Sequence, residues 1–272
     1  MPAEPSIRVG SFEVVPLLDG WAPLSLADEL PGRVVDWEAE RERFPWAFAS
    51  EDAWAWHVRA FLLRDDAQQL LVDTGIGHLG HPPYDVEGRV DDSLREAGTA
   101  PERIHHVIHT HLHADHAGGA CRPDGGPRFS NAQHHVHDAD WRFFATATAE
   151  DDFGGRTAMT ALEETGQLAI TSDDRTIVPG VGVLHTPGHT PGHRCVVVDG
   201  GDDAILLTGD LLHQPIQVGH PEWASWHDED EMLGVASRRI VLFRARQRGW
   251  RVAVTHFARP FGRVGEDGWE PD

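Results

Sequence analysis

The sequence predicts an α/β fold in which mixed sheets are covered by helices, and three observations carry that prediction. Short apolar runs bounded by turn residues recur along the chain and read as strands. Helical patterns interrupt them in blocks: strands, then helices, then strands, then a helix and a strand, the order expected of sheets with helical covers. No stretch rich in Pro, Gly or Ser divides the chain, so its 272 residues are expected to form one domain, 1–272.

Residues 12–18 read as the first strand. Residues 57–63 and 69–72 follow as a pair, with Asp65-Asp66 turning between them, and Asp73-Thr74-Gly75 ends the second in a loop. Residues 91–97 predict a helix, with Ser93 and Glu96 at capping-box spacing and Gly98 as its stop. A strand follows at 104–108. Helices are expected at 137–145 and 157–166, joined by the acidic, Gly-containing stretch 150–155. Strands resume at 176–178, 181–184, 195–198 and 204–207. The clearest helix runs from about 230 to 248, with Leu233, Ala236, Ile240 and Phe243 on one face and Gly249 closing it. A last strand at 251–255 precedes a short Gly-rich tail. The stretch 21–56 carries Trp21, Trp37, Trp46, Trp54 and Trp56 with little periodicity. It reads as an aromatic loop region over a site, or as packed surface structure.

Composition narrows the partners. Apolar residues make up 40% and charged residues 25%, as in ordinary soluble domains. The 23 basic and 44 acidic residues give a formal charge of -21, a surface that repels phosphate backbones and anionic lipid but suits divalent cations. Nucleic acid and membrane are therefore not expected as partners. A small-molecule substrate is, and a homodimer stays open. Every basic residue other than histidine is Arg, which reads as coding bias. Two distant cysteines, Cys121 and Cys195, make no disulfide framework, and Cys195 sits in an apolar run as a buried strand residue. Residues 1–10 lack the basic start and apolar stretch of a secretory signal, and no run approaches a membrane span, so a cytoplasmic protein is expected.

The histidines carry the chemistry. In His109-Thr110-His111-Leu112-His113-Ala114-Asp115-His116, an apolar strand runs into four ligand-type residues within six positions and then into glycines. On a loop leaving a strand, His111 and His113 can point two imidazoles at one ion. The next turn then presents the Asp115 carboxylate and the His116 imidazole to a second. Such a donor set suits zinc, and also iron, manganese or cobalt. Three more strand ends deliver a ligand-type residue into a polar loop: Pro187-Gly188-His189, Thr208-Gly209-Asp210 and Thr255-His256.

Together these motifs resemble the metallo-β-lactamase superfamily, from about Asp73 to His256 and in the family order. The resemblance implies a four-layer αββα sandwich with the site at one edge of two facing sheets. It implies one metal on His111, His113 and His189, a second on Asp115, His116 and His256, and Asp210 bridging them. Two divalent ions, zinc above all, would bind. A water between them would lose its proton near neutral pH and attack an ester-like bond, with one ion polarising the carbonyl. Asp115 would also orient that nucleophile, and Asp73 would support the metal loop.

Within the superfamily, the His at position 113 argues against the flavodiiron branch. Asp210, where class B β-lactamases place a Cys or no bridge, argues against antibiotic hydrolysis. Only 16 residues, 257–272, follow His256, which is too few for the glutathione-binding domain of the glyoxalase II branch. The acidic charge argues against the RNA-processing branch. What remains resembles the lactonase and methyl-parathion-hydrolase-like branch. His213, three residues beyond Asp210, stands where acyl-homoserine-lactone members often place a Tyr. It reads as a catalytic proton donor or substrate contact, or as a packing histidine. Tyr84, the sole tyrosine, lies in a Pro-rich loop, so a Tyr-assisted mechanism is not expected. The Trp-bearing region with Trp223 and Trp226 is expected to line an apolar pocket. His193 is read as structural. The expected reaction is hydrolysis of a small neutral lactone or ester. The alternatives are a phosphotriester hydrolase with the same site and a mononuclear iron dioxygenase of the persulfide-dioxygenase type.

Overall fold

In the computed structural model, which describes residues 5–30, 33–78, 86–146 and 155–272, side-chain alternation divides the interior. Phe61 and Leu63 enter the core between two sheets, while Leu62 between them packs under a helix on the outer face. Ile205 and Leu207 meet that core from the opposite sheet, and Leu206 points outward. This period of two, repeated strand after strand, makes two sheets each buried on both faces.

The first sheet contains β1 (Ile7–Val9), β2 (Phe12–Ser25), β3 (Ala53–Arg64), β4 (Gln69–Val72), β5 (His106–Ile108), β6 (Gln133–His137) and β7 (Leu168–Thr171), in that spatial order. Strands β1 to β4 pair antiparallel, and β4 to β7 pair parallel. The second sheet contains β8 (Arg175–Val178), β9 (Val181–His185), β10 (Arg194–Asp199), β11 (Ala204–Leu207), β12 (Arg251–Ala253), β13 (Phe261–Val264) and β14 (Trp269–Pro271). Its strands pair antiparallel except for the parallel pair β11 and β12.

The helices are α1 (Leu26–Glu29), α2 (Trp37–Arg43), α3 (Val90–Glu96), α4 (Ala114–Ala117), α5 (Asp138–Ala145), α6 (Gly155–Glu164), α7 (Ile216–Gly219) and α8 (Glu231–Arg248). Val90 and Leu94 of α3 cover the first sheet, and Val241, Leu242 and Ala245 of α8 cover the second. The layers are therefore helix, sheet, sheet, helix, as the αββα expectation requires. No described helix is long and apolar enough to cross a membrane.

Several local expectations change. The two ends of the aromatic stretch 21–56 are strand, not loop. β2 continues to Ser25, where it pairs with Ala53, so Trp21, Trp54 and Trp56 lie on a long hairpin. Pro16 and Pro23 disguise this strand. Both lie beyond the residues 12–14 that pair with β1, so the missing N–H breaks no ladder on that side. Strand β6, Gln-His-His-Val-His, reads as polar but is buried between β5 and β7, its imidazoles meeting those of neighbouring strands. The tail forms β13 and β14 by pairing outward from β12. Ser93 is no capping residue: it lies inside α3, and its hydroxyl donates to the Leu18 carbonyl at 2.5 Å. On α8 the core face is Gly234, Arg238, Val241, Leu242 and Ala245, and the predicted apolar stripe points to solvent. Tyr84 and residues 150–154 lie outside the described residues.

Candidate metal centre

Parallel strands release their carboxyl ends at the same edge, and that edge gathers the site. β4 ends at Asp73 and β5 leads to His111 in the first sheet, while β11 leads to Asp210 and β12 to His256 in the second. The turn between β9 and β10 adds His189. Helix α4, with His113 as its N-cap, presents Asp115 and His116 from a single turn.

Two groups of donor atoms result: His111, His113, His189 and Asp210; and Asp115, His116, Asp210 and His256, each with its atoms within 4.8 Å of one another. In the first, His113 Nδ1 lies 3.0 Å from His111 Nε2 and 2.9 Å from His189 Nε2, and those two are 3.2 Å apart. Asp210 Oδ2 lies 3.3 Å from His189 Nε2. In the second, Asp210 Oδ1 lies 2.9 Å from His116 Nε2 and 3.0 Å from His256 Nε2. Asp115 Oδ2 lies 3.4 Å from His116 Nε2 and 3.7 Å from His256 Nε2. All seven predicted residues are thus brought together.

The arrangement fits a pair of cations. Three ring nitrogens facing one centre cannot all be satisfied by hydrogen bonds among themselves, because each bond needs one donor and one lone pair. Donors held about 2.0–2.1 Å from a tetrahedral zinc stand about 3.3 Å apart, close to the spacings here. In the second group His116 Nε2 and Asp210 Oδ1 are buried with no hydrogen-bond partner. A cation between them would satisfy both.

Local hydrogen bonds turn the imidazoles the right way. His116 Nδ1 donates to Asp73 Oδ2 at 2.8 Å, and His256 Nδ1 donates to the His57 carbonyl at 2.6 Å. Thr110 Oγ1 donates to Asp73 Oδ2 at 2.8 Å and accepts from His111 Nδ1 at 3.1 Å. Each such bond places the proton on Nδ1 and leaves the Nε2 lone pair facing the centre. Asp73 makes these contacts from a left-handed backbone, φ 60°, which an Asp tolerates better than most residues. It thus supports the metal loop, as expected. Gly209, φ 51°, cannot be replaced cheaply, because a Cβ there would stand 2.8 Å from the Thr110 side chain and 2.9 Å from His193 Nε2. His193 is structural: its Nδ1 meets the Thr186 carbonyl at 3.1 Å, and its Nε2 accepts from the Asp210 N–H.

Charge is tightly coupled across the site. Burial pushes the imidazoles of His111 and His113 well below the ordinary histidine range. Burial acts the same way on His116, but the carboxylates of Asp210, Asp115 and Asp73 outweigh it and hold that ring well above. Burial alone would raise Asp210, yet the surrounding imidazoles, His116 first, keep it well below the usual carboxylate range. His213 joins this set with Nε2 3.3 Å from Asp210 Oδ2, and the hydrogen bond to that carboxylate raises its pKa against the effect of burial.

Sequence reasoning missed four supporting groups. Asp228 lies beside His189, with Oδ1 3.4 Å from His189 Nδ1, and is paired with the buried Arg238 at 3.1 Å. Arg59, fully buried, donates to the carbonyls of Thr255 at 3.1 Å and Phe257 at 2.5 Å, on either side of His256. Glu29, buried and bonded to Ser225 Oγ at 3.0 Å, has its pKa raised by burial and opposed by the neighbouring His213. His227 lies between Trp226 and His213, ring centroids 4.0 Å from the first and 5.6 Å from the second. An Arg in a strand, an acid in a polar loop and another at the end of a short helix carry no periodic signal that marks them. Of the expected aromatic lining, Trp56 stacks on His256 at 5.6 Å and Trp226 reaches the site through His227, whereas Trp223 stacks on His220.

Fold and site together define an αββα protein with two groups of side chains that could each hold a metal ion, sharing one aspartate. The metallo-beta-lactamase superfamily model matches residues 53–254, and the chain belongs to that superfamily. An N-acyl homoserine lactonase from a Bacillus species is 29% identical over 173 residues, which cover 57% of this chain and 64% of that protein. The chain therefore matches less than two thirds of that relative's length. Among solved structures, the dizinc quorum-quenching lactonase AidC in complex with the product N-hexnoyl-L-homoserine superposes with a TM-score of 0.84 at 21% identity, over 98% of this chain and 97% of that one. The hydrolase AbOPH of the beta lactamase superfamily gives 0.84 at 23% identity, over 100% and 98%. At those identities the likeness establishes the shared fold.

Proposed function

We propose that this chain is a two-metal hydrolase that opens a small, uncharged, fairly apolar lactone or ester. The observation that carries the reading is the position of Asp210. One of its oxygens faces the His111, His113 and His189 group and the other faces the Asp115, His116 and His256 group. A carboxylate so placed would serve a cation in each group, and zinc suits the nitrogen and oxygen donors gathered there. When bound, such ions supply Lewis-acid polarisation of a carbonyl and a nucleophile at neutral pH.

The chain's own residues supply the rest. His111, His113 and His189 would hold one ion and Asp115, His116 and His256 the other, with Asp115 also orienting the attacking oxygen. His213, its pKa raised beside Asp210, is suited to give its Nε2 proton to the leaving alkoxide. Trp56 and the exposed Trp226 flank the site and suit an apolar acyl group better than a charged one. The similarity to N-acyl homoserine lactonases supports a lactone as the substrate class.

The test is metal content measured beside hydrolysis of parallel lactone, ester and phosphotriester panels followed by proton release. Two ions per chain and turnover of neutral lactones are expected, with both lost in the His111→Ala, Asp210→Ala double variant. Full activity in that variant refutes the mechanism. Turnover of phosphotriesters alone would move the substrate class, and one iron with oxygen uptake would replace hydrolysis altogether.

A further inference from the structure

The histidines of the two donor groups are not all held in the same way. His111, His116 and His256 are each turned by a hydrogen bond at Nδ1. His113 is reversed: its Nδ1 faces His111 Nε2 and His189 Nε2, so its Nε2 points away from the centre, and no hydrogen bond reaches that Nε2 among the described residues. His189 Nδ1 has the Asp228 carboxylate at 3.4 Å, long for a hydrogen bond. The placement of these two rings must therefore come from packing and from the backbone that carries them.

Helix α5 touches both. Asp140 and Phe144 are its two buried residues, and at a spacing of four they lie one above the other on one face. The Phe144 ring meets the His113 ring edge-on, with centroids 5.5 Å apart and planes at 88°. Phe144 is itself packed in the cluster of Leu112, Val136 and Met159. One turn earlier, Asp140 Oδ1 accepts from the Gly192 N–H at 2.6 Å, and Oδ2 accepts from the Thr190 hydroxyl at 3.0 Å. These bonds grip the Thr190-Pro191-Gly192 turn that follows His189. The approach is close, since a Cβ on Gly192 would stand 2.5 Å from the Asp140 nitrogen. Burial raises the Asp140 carboxyl to about 6, opposed by those two bonds, by Arg194 and by the backbone N–H of Leu112, which lies between His111 and His113. His113 follows β5 of the first sheet and His189 lies between β9 and β10 of the second, so one helix face spans the two.

We propose that α5 is a bracket that sets the spacing of His113 and His189, with Asp140 as the positioning residue for His189 and Phe144 as that for His113. The inference rests on the two-metal reading of the site. The 2.9 Å between His113 Nδ1 and His189 Nε2 is then fixed by a helix rather than by two loops. Neither side chain belongs to a donor group, and both act through the rings they place. Loss of either loosens the group of His111, His113 and His189. The other group keeps its own supports, Asp73 on His116 and the His57 carbonyl on His256.

Titration of the full chain with zinc against a chromophoric chelator tests this, with the two binding steps resolved. Asp140→Ala should weaken one step about 10–100-fold, the step that His189→Ala abolishes, and spare the step that His256→Ala abolishes. Phe144→Leu should weaken the same step about tenfold. Asp140→Asn should bind like the parent, because its amide can still accept from Gly192 and donate to Thr190. In metal-free protein the Gly192 amide should exchange its hydrogen faster in Asp140→Ala than in the parent, and Asp140→Asn should restore the parent rate. Arg142→Ala, on the solvent side of the same helix, should change neither readout. Unchanged zinc affinity in both Asp140→Ala and Phe144→Leu, or equal weakening of both steps, would overturn the bracket. Asp140→Asn as weak as Asp140→Ala would replace it by an effect of charge. A parent chain that binds no zinc would overturn the two-metal reading and this role with it.

Discussion

Asp228 Oδ1 faces His189 Nδ1 across 3.4 Å in the interior, and neither atom has a hydrogen-bond partner at closer range. The spacing is long for a full hydrogen bond, yet an Nδ1 proton has no other described acceptor. Arg238 holds the opposite carboxylate oxygen, and burial, which would raise the acid, is outweighed by His189 and Arg238, leaving Asp228 at about 2. Replacing Asp228 with Asn should weaken metal binding at the His111, His113 and His189 group about 10–100-fold and spare the other group. Chelator competition with stoichiometric readout measures this. Two ions bound with unchanged affinity would remove Asp228 from a positioning role.

His213 touches Asp210 without belonging to either ligand group. His213→Gln should therefore leave two ions bound and lower kcat about 10²–10⁴-fold, the usual worth of a positioned general acid. Loss of metal in step with activity would instead make it a structural partner of Asp210.

Arg59 is fully buried and binds the backbone on both sides of His256. Arg59→Met strips buried carbonyls of their donor and should cost about 3 kcal/mol of stability, read from urea midpoints. It should also weaken binding at the His256-containing group. A variant as stable as the parent would show that water replaces the guanidinium.

Strand β6 predicts an acid-labile fold. Burial lowers His134 to about 3 and His135 and His137 to about 4, all against an ordinary value of 6.5. A depressed folded pKa means that these rings stabilise the protein above pH 6.5, where neither state is protonated. As pH falls below 6.5 the unfolded chain takes up protons that the folded chain refuses, and stability declines until about 3–4. For His134 alone the slope is about 1.4 kcal/mol per pH unit. Asp19 and Asp140, raised to about 6 by burial, act in the opposite sense over part of this window. His193 and His227, each lowered to about 3 by burial, add to the loss on acidification. Urea unfolding of metal-free protein at pH 7, 6, 5 and 4 should show falling midpoints, with a shallower trend in His135→Gln. Midpoints that rise on acidification would contradict this.

Much of the site was legible because metal chemistry restricts residue choice. His111, His113, Asp115 and His116 occur in one short segment, and His189, Asp210 and His256 each follow an apolar strand, so type and placement both mark them. The supporting groups were not legible. Asp228, Arg238, Arg59 and Glu29 gain their meaning from what they touch, and their sequence neighbours say nothing of it. Strand β2 reads only to residue 18 because Gly20 and Pro23 resemble breakers, while only the sheet shows that β1 stops before them. Leu233, Ala236, Ile240 and Phe243 share one face of α8, but periodicity reports that a helix has an apolar side and not what covers it, and that side is exposed.

The sequence by itself determined most strands and the helices' rough places, because apolar patterning is local, and its motifs, through the family resemblance, implied the two-sheet sandwich and the seven candidate ligands. Tertiary structure alone decided which ring nitrogen each histidine turns inward and which face of α8 packs on the second sheet. These depend on contacts between residues up to about two hundred positions apart, such as Arg59 with Phe257, and no local pattern encodes a distance.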